Sequence, residues 1–408
     1  MAESGLSRAG DRLRSRYDPV GGTGDANMGT LSSKPSSHSA LLDKSDDAFA
    51  QPIYKYIVCA SSGFMFGFAM EKGRVHEPAV IRDMMVMKNF TMLKMFLSAV
   101  SAGMLSMVIL ATYPGTRKRF QRVCDDFYSG MSCKSITSSA LGGLLIGIGM
   151  PIAGSVRTYP GVVMQATQVK LQYTLLGGLL ATVVYSFLKP VFDSLTKPSI
   201  EESSNPWKES PYYVTAMPII IMFAGLVGAF EMLVPWTTEV QVSGGTDLAV
   251  LGMRAWPPWV AGITVGALQI PLIVGLSETL GGTSSLVTLT SQVFVGPLKK
   301  LCPSFMVPFQ RGFRSWWQVL YVGSALSGAF MSAHLSNTLG TLTGVSTSQA
   351  FCGGFLLMLG ARIAGGCTSG HGITGMGFMS ILSLIATASM FGGGMATGFG
   401  MKYLLGTY

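Results

Sequence analysis

Charge is scarce in this chain: 29 Lys+Arg and 20 Asp+Glu make up 12% of 408 residues, about half the share usual in soluble domains. The scarcity is uneven, because residues 1–50 hold 13 of those 49 charges and the remaining 358 residues keep 36. Such a body excludes a soluble multidomain enzyme and, with 49% apolar residues, a wholly disordered chain. Cysteine is sparse too. Cys59, Cys124, Cys133, Cys302, Cys352 and Cys367 show no Cys-x-x-Cys spacing, which excludes a disulfide-stapled secreted scaffold. No apolar run precedes Tyr54, so no secretory signal is legible, and Asp11, Asp18 and Asp25 break up an arginine cluster that a mitochondrial presequence would keep free of acids. Residues 1–50 read as a disordered polar tail, unable to bury enough surface to offset its ordering entropy. No basic stretch is interleaved with aromatic residues, so the net charge of +9 speaks for inward-facing membrane loops and against nucleic acid.

Apolar sequence is what the chain has in quantity. Runs near 54–70, 91–113, 171–189, 213–235, 258–277, 316–335 and 380–404 are long enough to cross about 30 Å of hydrocarbon, which predicts seven plain helices. Two further stretches, 139–168 and 348–379, are apolar but interrupted at Arg157-Thr-Tyr-Pro-Gly161 and Gly365-Gly-Cys-Thr-Ser-Gly-His-Gly372. They match without gaps at an offset of 211, Gly142, Gly143, Gly149, Ile152, Ala153, Gly154 and Gly161 meeting Gly353, Gly354, Gly360, Ile363, Ala364, Gly365 and Gly372. This predicts an internal repeat. Basic residues gather at Arg117, Lys118, Arg119, Arg122 and Lys134, and again at Lys299, Lys300, Arg311 and Arg314. If both loops face the cytoplasm, the repeats are inverted and the crossings number about nine. The expectation is an all-α polytopic membrane protein with two inverted repeats, each carrying a broken helix: a tail at 1–50, a first repeat at 51–190, a linker with a central span at 191–257, and a second repeat at 258–408. Trp236, Trp256, Trp259, Trp316 and Trp317 fall at span ends and read as interfacial belts. The run Gly392–Gly398 lacks the strand and the Lys-Ser/Thr of a phosphate loop and reads as close helix packing.

Non-helical backbone at membrane depth is tolerated where it lines a watery cavity, and helix N-termini aimed into it favour an anion. Arg157 and Arg362 lie in or beside the breaks, where an intramembrane arginine marks a site or, in the plainer reading, ties neighbouring carbonyls together. Cys367 sits in the second break beside Thr368, Ser369 and His371; its soft thiol suits a sulfur-bearing substrate, and an inert buried cysteine is the alternative. Cys367 and His371 are two ligands at most, so neither a metal nor any other cofactor is expected. Cys59 on the first span is a pathway candidate or a packing residue. His76 follows the first span and faces a vestibule or pairs at the surface with Glu77. Glu231 and Glu278 are candidates for proton acceptance or interfacial residues.

Gly360-Ala-Arg-Ile-Ala-Gly-Gly-Cys-Thr-Ser-Gly-His-Gly-Ile373 strongly resembles the signature of the YeeE/YedE family of sulfur-transport membrane proteins. Gly142-Gly-Leu-Leu-Ile-Gly-Ile-Gly-Met-Pro-Ile-Ala-Gly154 looks like the family's other repeat, and Phe66-Gly-Phe-Ala-Met-Glu-Lys-Gly-Arg-Val-His76 resembles its first hairpin. The resemblance runs from about residue 54 to the end. It implies thiosulfate or a related sulfur compound as cargo, an inverted-repeat fold pinched at its centre, and cysteines lining the constriction. Cys367 matches that pattern. The chain departs from it in the first half, where Val156 or Tyr159 replaces a cysteine, and at His76, where another cysteine is common. The expected function is a transporter or channel for a small sulfur-containing anion, in the plasma membrane rather than an internal one. A membrane sulfurtransferase using a Cys367 persulfide and a transporter-like sensor remain as alternatives.

Overall fold

A chain with so little charge must satisfy its backbone amides within each segment, because hydrocarbon offers no partners. Every regular element among the described residues is accordingly a helix. The computed structural model describes residues 52–132, 134–153, 167–195, 211–240, 253–295, 297–310, 312–338 and 346–403. The tail at 1–50 and the first interruption, with Arg157 and Tyr159, lie outside them.

The helices are α1 (Ile53–Lys72), α2 (Pro78–Met85), α3 (Thr91–Thr112), α4 (Pro114–Met131), α5 (Ile136–Ala153), α6 (Thr167–Leu195), α7 (Tyr212–Leu233), α8 (Pro258–Ala267), α9 (Ser284–Gln292), α10 (Phe313–Leu335), α11 (Thr347–Ala364) and α12 (Ile381–Tyr403). Prolines at the first helical position open α2, α4 and α8, where a missing N–H is harmless. A capping box between Ser346 and Gln349 opens α11, and Gly365 in the left-handed conformation (φ +89°) closes it.

Among the described residues, seven helices are long and apolar enough to cross a membrane: α1, α3, α5, Gln172–Phe192 within α6, α7, Pro258–Leu276 and α12. The chain is therefore an all-helical polytopic membrane protein. One difference from expectation stands out. The 316–335 run is a helix (α10), yet Arg314, Gln318, His334 and its serines keep it outside the apolar seven, whereas α5 joins them because it runs unbroken to Ala153. The Pro258–Leu276 span is itself irregular, changing to a π-helical turn at Leu272–Leu276 and stopping at left-handed Ser277.

The packing pairs each half of the chain with the other: α1 lies on α10, α8 on α3, α5 on α11, α6 on α11, and α12 on α5. Glycines make these approaches possible. Helices α5 and α11 have the same 18-residue length with both ends offset by 211, and they cross reciprocally. A Cβ built on Gly142 would lie 2.7 Å from the Cβ of Ala364, and one on Gly353, its counterpart at the offset, 2.6 Å from that of Ala153. Gly142 likewise faces the Gly360 carbonyl (2.6 Å) while Gly149 faces that of Gly353 (3.0 Å). Residues that correspond at the offset thus exchange contacts across this crossing. Gly393 packs on Leu144 and Gly398 on Met85, as the glycine run in α12 predicts.

Two of the tryptophans expected in interfacial belts are core residues instead. Trp317 and Trp256 are buried, Trp317 edge-on to Tyr321 of its own helix and Trp256, before α8, tilted against Phe68 of α1. Trp259 stays exposed.

Candidate functional site

The second break is built by two glycines and a cap. After Gly365 reverses the chain, helix resumes over 368–377, with a π-helical turn at Gly370–Gly375. Cys367 stands at its N-cap: its carbonyl accepts the His371 N–H at 2.8 Å and its Sγ accepts the Gly370 N–H at 3.4 Å. The thiol thus takes the place usually held by a serine or aspartate oxygen. Ser369 Oγ lies 3.1 Å from the sulfur. Cys367, Thr368 and Ser369 are all half-buried. Leu280, from the turn after the Pro258–Leu276 span, approaches with its carbonyl, which accepts from Thr374 Oγ1 at 3.3 Å.

His371 is buried, its Nδ1 3.1 Å from Ser383 Oγ on α12. Its Nε2 faces Gly366, where an added Cβ would come within 2.9 Å. Arg362, in the last turn of α11, is 8% exposed, and its Nε has no hydrogen-bond partner among the described residues. Lys134 comes from the short turn before α5. Its Nζ donates to the carbonyls of Arg362 (3.3 Å) and Ile363 (3.0 Å) and reaches Tyr185 Oη at 3.4 Å. Ser138 also bonds the Ile363 carbonyl, at 2.7 Å. A cation on the open carbonyls at a helix C-terminus is the favourable polarity.

Cys367, Ser369, Arg362 and His371, all expected in the site, are therefore gathered around one turn, with Thr368 beside them. Lys134 and Tyr185 were not expected. Lys134 reads in sequence as one more loop charge, 228 residues from Arg362, and Tyr185 as part of an apolar run.

Other candidates lie elsewhere. Cys59 is buried between α1 and α10 and donates to the Trp317 carbonyl at 3.2 Å, a packing position. His76 is buried, not a surface partner of Glu77: its Nε2 is 3.1 Å from Glu71 Oε2. Arg74 bridges Glu71 (3.5 Å) and Glu77, and Lys72 donates to the Met253 carbonyl and Ser336 Oγ, each at 2.7 Å. Separately, Arg82 of α2 donates to the Pro151 carbonyl near the end of α5 at 3.3 Å. Ala364 packs beside Gly142, and Ala153 lies eleven residues further along α5, so the two helix ends before the breaks are about 16 Å apart along the crossing. Glu231, expected at a span end, pairs with buried Lys94 at 3.2 Å, and Glu239 joins them at 2.8 Å.

The model of a family described as sulphur transport matches residues 72–396. A protein named thiosulfate transporter TsuA, from Escherichia coli (strain K12), is 22% identical over 325 residues, covering 76% of this chain and 84% of its own. A probable transporter from Xylella fastidiosa (strain 9a5c) is 32% identical over 144 residues, 35% of this chain and 91% of its own length. A second strain, Temecula1, has a similar protein at 30% over 142 residues.

Proposed function

Because the chain belongs to the sulphur transport family, we propose that it carries a small sulfur-containing anion, thiosulfate foremost, across the bilayer through a constriction at the second break. The observation that carries this reading is the half-buried Cys367 thiol in the break that follows buried Arg362 at the end of α11. Burying a cation in a membrane protein costs several kcal/mol unless something negative offsets it. An anion arriving at the break supplies that offset, and the thiol offers sulfur a soft contact where the cation offers oxygen a hard one.

The reciprocal contacts of α5 and α11 support two inverted repeats, 51–190 and 258–408, flanking a linker at 191–257 that contains α7. The Xylella relatives, covered to 91% by a match of about 140 residues, show that a chain of one-repeat size exists in nature. Adding α10 and α11 to the seven apolar helices gives nine crossings. On this reading Arg157 and Tyr159 would line the first break and His76 its approach, supplying donors in place of the sulfur groups missing there. The protein would work in the plasma membrane.

Proteoliposomes holding the purified chain test this. Saturable uptake of radiolabelled thiosulfate, exceeding that of sulfate and sulfite, is the expected result. Flux of all three no higher than in empty liposomes refutes it.

A further inference from the structure

Resting on that reading, the geometry points to the orientation in which the anion is held: we propose that Arg362, Lys134 and Tyr185 form an oxyanion subsite beside Cys367, selecting a two-ended anion with sulfur at one end and oxygens at the other. Three observations meet here. The Arg362 guanidinium is buried with a donor nitrogen left over. Lys134 arrives from a different segment, yet its ammonium ends within 3.0–3.4 Å of the Arg362 and Ile363 carbonyls and the Tyr185 hydroxyl. Its stem crosses the break itself, since a Cβ on Gly365 would touch Lys134 Cε at 3.0 Å.

Guanidinium, ammonium and phenol are hard donors that favour oxygen acceptors. The thiol is the soft member, held on the other side by Gly370 N–H and Ser369. The Lys134 contacts to the Arg362 carbonyl (3.3 Å) and the Tyr185 hydroxyl (3.4 Å) are longer than usual hydrogen bonds, so exchanging a neutral oxygen for a charged one of the substrate strengthens them. Binding the anion thus turns Lys134 from the end of α11 towards the substrate. An anion with oxygens at every corner would engage this subsite without the thiol. One with sulfur and no oxygen would do the reverse.

Competition against radiolabelled thiosulfate uptake separates the two ends, with sulfate as the all-oxygen competitor and thiocyanate as the oxygen-free, sulfur-ended one. Lys134→Gln and Tyr185→Phe should raise the thiosulfate KM about ten- to a hundred-fold, the usual loss of a hydrogen bond to a charged group. Inhibition by sulfate should fall with it, and inhibition by thiocyanate should stay within two-fold. Cys367→Ala should do the opposite, and Lys134→Arg should recover sulfate inhibition. A KM unchanged in Lys134→Gln, parallel loss of both competitors, or a wild type insensitive to sulfate overturns the subsite while thiosulfate transport stands. If the wild type moves no thiosulfate, the transport reading fails. Calorimetric sulfate binding, present in the purified wild type and absent in Lys134→Gln, would then still support the subsite, and its absence from both would overturn it.

Discussion

The α5–α11 crossing allows a test in which the same chemical change has opposite signs at two places. Gly142→Ala puts a methyl group 2.6 Å from the Gly360 carbonyl oxygen and 2.7 Å from the Ala364 methyl. Ordinary contact needs about 3.4 Å or more, and the obstacle on one side is backbone, so the helices must part by most of 1 Å. Overpacking of this kind costs about 1–3 kcal/mol. Gly225→Ala on α7 is the control, because a Cβ there meets nothing within 4 Å of the described residues. On helix propensity alone it should gain about 0.5–1 kcal/mol. Thermal unfolding in detergent, followed by helical circular dichroism, should rank the midpoints Gly142→Ala, wild type, Gly225→Ala in rising order. Gly360→Ala strikes the same crossing from the other side, so the double variant should lose less than the two single losses together. Thiosulfate flux should fall with the Gly142 change, since Ala364 lies three residues from Cys367. Equal midpoints for Gly142→Ala and Gly225→Ala would refute the close crossing.

Further outcomes follow from individual contacts. Cys367→Ala should lower thiosulfate uptake in proteoliposomes several-fold while leaving enough flux to read competition, and Cys367→Ser should keep the fold's unfolding midpoint, because a hydroxyl can accept the Gly370 N–H in the sulfur's place; full flux in Cys367→Ala would remove the thiol from the pathway. Lys94→Met should lower stability by about 3–5 kcal/mol by stranding Glu239 and Glu231, and Lys94→Met with both glutamates changed to Gln should recover most of it; an unchanged midpoint in Lys94→Met would show the ion group to be inert. Burial, with help from Asp125, pushes the Cys124 thiol up to about 12. Its reactive thiolate therefore stays below about 1% up to pH 10, and iodoacetamide at pH 8 should alkylate exposed Cys352 and spare Cys124 by mass spectrometry. Gly366→Ala should cut transport by pushing a methyl group against the His371 ring that Ser383 holds, read as lower thiosulfate uptake in proteoliposomes.

The second break could be read from sequence because its cause is local: Gly-Gly removes side chains where the backbone turns left-handed, and Cys-Thr-Ser offers caps for a restart. The spans were legible for the same reason, hydropathy being a property of each segment by itself. What escaped was decided between segments. Lys134 belongs to the site only because α5 and α11 cross beside it. Trp256 and Trp317 look interfacial until α1 packs against both the segment before α8 and α10. His76 has Glu77 as its sequence neighbour, yet the turn after α1, with Arg74 in the left-handed conformation (φ +55°), hands it Glu71 instead. Glu231 gave no hint of Lys94, since that pairing depends on α7 lying against α3.

The interlocking of the two halves has a mechanical corollary. With α1 clasped by α10, α3 by α8, and the α5–α11 pair sewn together by backbone-to-backbone glycine seams, neither half can swing as a block without tearing every seam at once. A frame seamed in this way favours small movements, such as that of a lysine tip or a reversed turn, over the swing of one half against the other. A protein so built behaves less like a rocking cradle than like a turnstile set in a wall.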